Sequence, residues 1–212
     1  MARITHHNDS IITDFGDGIQ AYYSNEFITS DGMELLPHLL MQVPFTRVKY
    51  NKFGQVRVTP RFTWCYGQFN GEKTARYRGK NFETEVIPDW LNQLRENIEE
   101  ITGRKFNAVL LNRYVNGTDY INWHKDDESF LDHKMVASIS LGEERDFQFK
   151  ATERGRVHQI TLKSGSLFIF DEGLYHSLPK RKRINNVRYN ITFRCVNSNN
   201  GIGNYYYYNR GS

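Results

Sequence analysis

Apolar positions in the second half of the chain recur at period two, in short runs cut by turn residues. AVLL (108–111), VASISL (136–141), DFQF (146–149), VHQITL (157–162), SLFIF (166–170) and VRYNITF (187–193) each read as a strand. Short antiparallel strands at this spacing predict a sandwich or jelly roll. The first half reads differently. Leu35, Leu36, Leu39 and Leu40 form the apolar stripe of a helix starting near Ser30, where Pro37 predicts a kink or a broken start. A clearer helix opens at Pro88, buries Trp90, Leu91, Leu94, Ile98 and Ile101, and stops at Gly103. Residues 1–27 read as irregular chain or short strands, with DFGDG (14–18) as a turn. Val56 and Val58 alternate with Arg57 and Thr59 as a strand. NGEKTARYRGKNF (70–82) is a polar, Gly-bearing loop suited to a surface lid that carries positive charge and an aromatic ring. Residues 196–212 are low-complexity, and much of that tail is expected to be disordered.

Composition narrows the class. The 212 residues suit one domain with a substantial core, and 13 Tyr and 14 Phe against 5 Pro fit a β-rich globule. Two cysteines allow at most one bridge. Cys195 falls on the apolar face of its strand, so a buried free thiol and a reducing compartment are expected. No apolar run approaches a membrane span and the N-terminus lacks a signal-peptide core, which predicts a protein inside the cell, in nucleus or cytoplasm. A net charge of +4 is compatible with a nucleic-acid partner without requiring one. Its distribution says more: Arg76, Arg78 and Lys80 interleave with Tyr77 and Phe82, and residues 180–183 are all basic. Such a run also suits a nuclear-import address or a solvated loop.

Candidate chemistry concentrates in NRYVNGTDYINWHKDDE (112–128). His124 and Asp126 stand two apart in an extended segment, so they share a face and converge. One imidazole and one carboxylate are two-thirds of the 2-His-1-carboxylate triad that holds Fe(II) with open positions opposite. The third ligand must return on a later strand, and His176 follows SLFIF in DEGLYHSLP. His133 and His158 compete for that place. His158 reads as a surface strand residue, which leaves His133 the stronger rival. Asp126 is preferred to Asp127 because Asp127 points to the other face.

The strand RYNITFR (188–194) adds an anion site. Arg188, Asn190, Thr192 and Arg194 share one face and Tyr189, Ile191, Phe193 and Cys195 the other. Two inward arginines are costly unless an anion meets them, and a small dicarboxylic acid would do so through paired hydrogen bonds.

Together NRY, HKDDE, the later His176 and RYNITFR resemble the AlkB family of Fe(II)- and 2-oxoglutarate-dependent dioxygenases. They are most like its branch that demethylates alkylated nucleobases. The likeness runs from about Pro60 to Cys195. It implies an α+β double-stranded β-helix (a jelly roll) with helices backing one sheet and an N-terminal nucleotide-recognition lid. The domain would span 1–195, with 1–105 as extension and 106–195 as jelly-roll core. His124, Asp126 and His176 would bind Fe(II). Arg188 and Tyr114 would take the distal carboxylate of 2-oxoglutarate, and Asn112, Asn190 and Arg194 would gather at its chelating end, Arg194 also near Asp126. O₂ would be the second cosubstrate and methylated DNA or RNA the partner, with the enzyme a monomer. Tyr77 would stack on the base opposite His124, Asp127 and Glu128 would meet its exocyclic amine or cationic charge, and Arg61 would touch substrate. Close relatives carry aromatic-x-aromatic where Ala75-Arg76-Tyr77 stands, which leaves the shape of the base pocket open. The same iron chemistry on a protein or lipid, and a non-catalytic nucleic-acid-binding jelly roll, are the alternatives.

Overall fold

Two antiparallel sheets face each other across a layer of aromatic side chains in the computed structural model, which describes residues 11–52, 54–67, 74–77, 80–83, 85–126 and 135–195. The larger sheet runs β1 (Ile11–Gly16), β2 (Ile19–Ser24), β13 (Leu167–Asp171), β10 (Met135–Gly142), β15 (Arg188–Arg194), β8 (Ala108–Tyr114), β5 (Phe62–Gly67). The smaller runs β12 (His158–Leu162), β11 (Arg145–Lys150), β14 (Tyr175–Leu178), β9 (Ile121–His124). This is the expected jelly roll.

Alternation along the large-sheet strands makes two cores. Val109, Leu111, Ala137, Ile139, Leu141, Ile191 and Phe193 point outward, under α1 (Ser30–Met41) and α2 (Asp89–Thr102). Val136, Phe168 and Phe170 point inward and meet Phe147 and Phe149 of the small sheet. The helices therefore back one sheet, and the polar members of the inner face are left lining the space between sheets.

Both helices begin and end for local reasons. Thr29 caps α1 by accepting from the Gly32 N–H, and the helix runs unbroken through Pro37, burying Leu36 and Leu40. Leu35 of the expected stripe is instead exposed. Pro88 is the N-cap of α2, one residue before its first turn, and Gly103 ends it in the left-handed region at φ 63°. The DFGDG turn joins β1 to β2, as read. Within the polar stretch 70–82 the backbone forms a two-stranded ribbon, β6 (Thr74–Tyr77) with β7 (Lys80–Glu83), rather than loop alone. The tail 196–212, His133, Asp127, Glu128 and the side chain of Tyr77 lie outside the described residues.

Candidate metal centre and acid pocket

β9 and β14 pair with His124 directly opposite His176, so two imidazoles from distant segments meet on the inner face of the small sheet. Asp126 follows β9 and is positioned by its backbone N–H, which donates to the Glu172 carbonyl at 2.9 Å. Ligand atoms of His124, Asp126 and His176 all lie within 4.8 Å of one another. Nε2 of His124 is 3.7 Å from one Asp126 oxygen, and Nε2 of His176 is 3.6 Å from the other.

The hydrogen-bond pattern selects the ligand atoms. Nδ1 of His124 sits 2.9 Å from the Asn122 carbonyl and Nδ1 of His176 sits 2.8 Å from that of Leu174. A carbonyl only accepts, so Nδ1 carries the proton in each ring and Nε2 presents its lone pair inward. Protonation agrees. Burial, then the neighbouring His176, holds His124 down to about 3, and burial likewise lowers His176. Burial pushes Asp126 up, but Arg194 and the two imidazoles outweigh it and bring the carboxyl to about 2. Two neutral imidazoles and one carboxylate are the form in which these groups bind a cation, so the donor set fits Fe(II). Cys65 lies close enough to Arg194 and Arg61 to feel both charges. Burial outweighs them and pushes its thiol up to about 12, which keeps it protonated.

The expected arginine face of β15 is real. Arg188, Asn190, Thr192 and Arg194 turn between the sheets, opposite the inward residues Tyr114 and Asn112 of β8 in the register Arg188↔Tyr114 and Asn190↔Asn112. Arg194 Nη2 stands 2.7 Å from Asp126, where the resemblance puts it. Asn112 donates to Asn190 Oδ1 (3.2 Å), and Thr192 donates to the same oxygen (2.8 Å). Arg188 is 2 % exposed and donates to the hydroxyl of Ser140 and the carbonyls of Glu143 and Leu162. Among the described residues it meets no carboxylate.

Arg61 is buried and its Nε donates to Asn112 Oδ1 at 2.7 Å, beside the acid pocket. His158 turns inward rather than to solvent. Its Nε2 meets Asp17 at 2.9 Å and its ring stacks on Phe149, because the β1–β2 turn covers that edge. Sequence reasoning passed over Arg145, 1 % exposed, and Ser140. A signal existed for the first: Arg145, Phe147 and Phe149 share a period-two face.

A jelly roll with an inward His/Asp/His set and an arginine-lined pocket defines an iron-dependent oxygenase fold, and residues 20–194 match the 2OG-Fe(II) oxygenase superfamily. The chain belongs to that superfamily and, within it, to the AlkB family of dioxygenases, which use Fe(II), 2-oxoglutarate and O₂. It is 31% identical to DNA oxidative demethylase ALKBH2 of Homo sapiens, over 85% of this chain and 74% of that protein. The Arabidopsis thaliana protein of the same name is 29% identical, over 86% and 68%. Alpha-ketoglutarate-dependent dioxygenase alkB homolog 3 of Homo sapiens is 34% identical over 65% of this chain and 52% of its own length. Among solved structures, OsALKBH1 superposes with a TM-score of 0.60 at 15% identity, over 82% of this chain and 97% of that one. An oxidoreductase of the 2OG-Fe(II) oxygenase family from Burkholderia pseudomallei gives 0.61 at 13%, over 85% and 88%. At those identities the likeness speaks to fold alone.

Proposed function

We propose that this chain is an oxidative demethylase of alkylated nucleobases, acting on 1-methyladenine and 3-methylcytosine in DNA or RNA. The observation that carries the reading is the triad's convergence within 4.8 Å, together with a buried arginine, Arg188, on the same face of β15 as Arg194, that meets no carboxylate among the described residues. Similarity to DNA oxidative demethylases over most of the chain supports the substrate class.

In this reading His124, Asp126 and His176 hold Fe(II). Arg188 and Tyr114 receive the distal carboxylate of 2-oxoglutarate, and Asn112, Asn190 and Arg194 surround its chelating end. Bound there, iron and 2-oxoglutarate would supply the oxidation, coupling O₂ and the decarboxylation of 2-oxoglutarate to succinate and CO₂ to removal of the N-methyl group as formaldehyde. The chain's own residues orient and protect. The Asn122 and Leu174 carbonyls fix both rings through Nδ1. Arg194 keeps Asp126 ionised and aimed. Phe147 stacks on His176 with centroids 5.3 Å apart, and Phe170 meets the same ring edge-on at 5.1 Å, so the site is walled by apolar surface.

A paired base must leave its stack to reach this depth, at a cost of a few kcal/mol that a lesion reduces. Tyr77, at the end of β6, is the stacking platform of this reading. Asp127 and Glu128 recognise the exocyclic amine or the cationic base, and Arg61 contacts substrate from beside Asn112. Residues 1–195 form the one catalytic domain, working as a monomer in nucleus or cytoplasm. No helix among the described residues is long and apolar enough to cross a membrane.

Formaldehyde release with Fe(II) and 2-oxoglutarate tests the reading across methylated DNA, methylated RNA and a methylated peptide. Release from either nucleic acid and none from peptide is expected. Release from peptide alone would move the substrate to protein.

A further inference from the structure

We propose that Arg145 is a second guanidinium of the acid pocket, standing beside Arg188 and selecting 2-oxo acids that carry a carboxylate at their far end. The inference rests on Arg188 receiving that carboxylate.

Arg145 opens β11 on the inner face, with Phe147 and Phe149 following at period two. It and Arg188 are the two largest fully buried side chains of the described structure. Their neighbourhood is shared. Leu162 is the cross-strand partner of Arg145, and Arg188 Nη1 lies 3.5 Å from the Leu162 carbonyl. The same Nη1 donates at 3.2 Å to the carbonyl of Glu143, two residues before Arg145. The Arg188 guanidinium therefore lies against the backbone that carries Arg145.

Asp119 and Asp146 lie near enough for their charges to act on Arg145, but among the described residues neither forms an ion pair with it. Its Nη2 donates to two backbone carbonyls, of Pro179 at 2.6 Å and of Asp119 at 3.2 Å. The nearby carboxylates are already engaged. Asp119 takes Arg47 at 2.8 Å and the Val115 N–H at 2.9 Å, and Asp146 takes Arg181 at 2.7 Å. Nε of Arg145 and Nε of Arg188 are both buried without a hydrogen-bond partner. The two cations also act on each other: burial first, with Arg145 among the further causes, holds Arg188 down to about 10.

Neighbouring buried cations with spare donors and no directly paired carboxylate are costly, and a carboxylate between them lowers that cost. One guanidinium already matches a carboxylate with two parallel bonds. A second adds charge-assisted contacts and makes the pocket discriminate against a chain that ends in methyl. The competing role is structural, with Arg145 tying the Asp119 and Pro179 segments together.

The test is calorimetric binding to the Fe(II)-loaded protein held anaerobic, so that nothing turns over. The probes are 2-oxoglutarate and 2-oxopentanoate, which lacks the distal carboxylate. Arg145→Met should weaken 2-oxoglutarate by about ten- to a hundred-fold, the loss of one charge-assisted contact. It should leave 2-oxopentanoate within about two-fold. Equal loss for both acids, or no loss for either, overturns the proposal in favour of a structural role. Arg145→Gln, which removes the charge while keeping a shorter side chain with an N–H donor, decides the matter if Arg145→Met does not fold. Arg188→Met separates the two levels of inference. If it abolishes the preference for 2-oxoglutarate while the Arg145 variants keep it, the pocket stands and the second arginine falls. If it too keeps the preference, the assignment of Arg188 itself is wrong.

Discussion

Two buried charge clusters in this molecule are built on opposite plans. At the end of α2, the carboxylate of Glu99 has every partner it needs. Arg95 Nη1 reaches it at 2.7 Å, Lys105 Nζ at 2.6 Å and the Phe106 backbone N–H at 2.9 Å. Between the sheets, Arg188 is as deeply buried but is given one hydroxyl, two carbonyls and no described carboxylate. The first cluster is closed and joins a helix to the strand that follows. The second is open, and an open buried charge is stable only when something else supplies the missing ion. On the proposed function, completeness of partners separates structural charge from charge reserved for a ligand.

The largest effect is expected where the open site meets the metal. Asp126→Asn keeps the shape of the side chain and removes its charge. Iron binding and formaldehyde release should both fall below detection, while circular dichroism stays that of the parent. The alanine variant is a poorer probe. Losing the Asp126 side chain would take from Arg194 the carboxylate that lies 2.7 Å from its buried Nη2, at a cost of about 3–5 kcal/mol. Full turnover in Asp126→Asn would remove the triad from the mechanism.

Next comes the open arginine itself. Arg188→Met should raise the KM for 2-oxoglutarate at least ten-fold, the weight of one charge-assisted contact, with kcat at saturation changed less. It should also raise, or leave unchanged, the melting temperature of the ligand-free protein, because an unmatched buried cation has been replaced by an apolar chain. A clear fall in melting temperature would mean that Arg188 belongs to the closed class.

Much of this contrast was legible in the chain. The Arg188–Arg194 face is a period-two statement about one strand, and the His124–Asp126 pair is one about the last residue of β9 and the chain just beyond it; period two survives folding wherever one sheet face is buried. His176 was legible because it follows the apolar strand SLFIF, and it proves to be the second residue of the next strand, β14. What the residues hid was register between distant strands. That Arg61 bonds Asn112 depends on β5 lying beside β8. That His158 turns inward depends on the β1–β2 turn bringing Asp17 to it across 141 positions. Arg145 was overlooked because an arginine opening a strand is usually solvated, and only the docking of the Asp119 and Pro179 segments above it buries the head group.

The closed cluster makes a pH prediction. Burial pushes the Glu99 carboxyl up, but Lys105, the Phe106 N–H and Arg95 outweigh it, and the folded value lies below the ordinary one. A group depressed in the folded state contributes stability above its unfolded value, about 4.3, and loses it as pH falls through the folded value. Glu99→Gln should therefore cost about 1–3 kcal/mol at neutral pH, and the gap from the parent should close below about pH 4 in urea unfolding. A gap that persists unchanged into acid would show that the carboxylate's charge is not what matters there.

The smallest effect discriminates within that cluster. Lys105 and Arg95 stand at nearly equal distances from Glu99, yet the lysine side chain is 86 % exposed and the arginine 18 %. Distance alone would rank them together. Solvent ranks them apart, because water screens the lysine and a long mobile side chain loses entropy when held in one geometry. Lys105→Ala should cost under about 1 kcal/mol, and less still in high salt. Arg95→Ala should cost more, because Nη1 also approaches the Phe106 carbonyl and Nε donates to Asn92, so its loss opens a buried carboxylate. Denaturant midpoints of the two variants at low and high salt measure the difference. Equal costs would mean that proximity rather than burial sets the worth of a charge here, and the division between closed and open clusters would lose its physical basis.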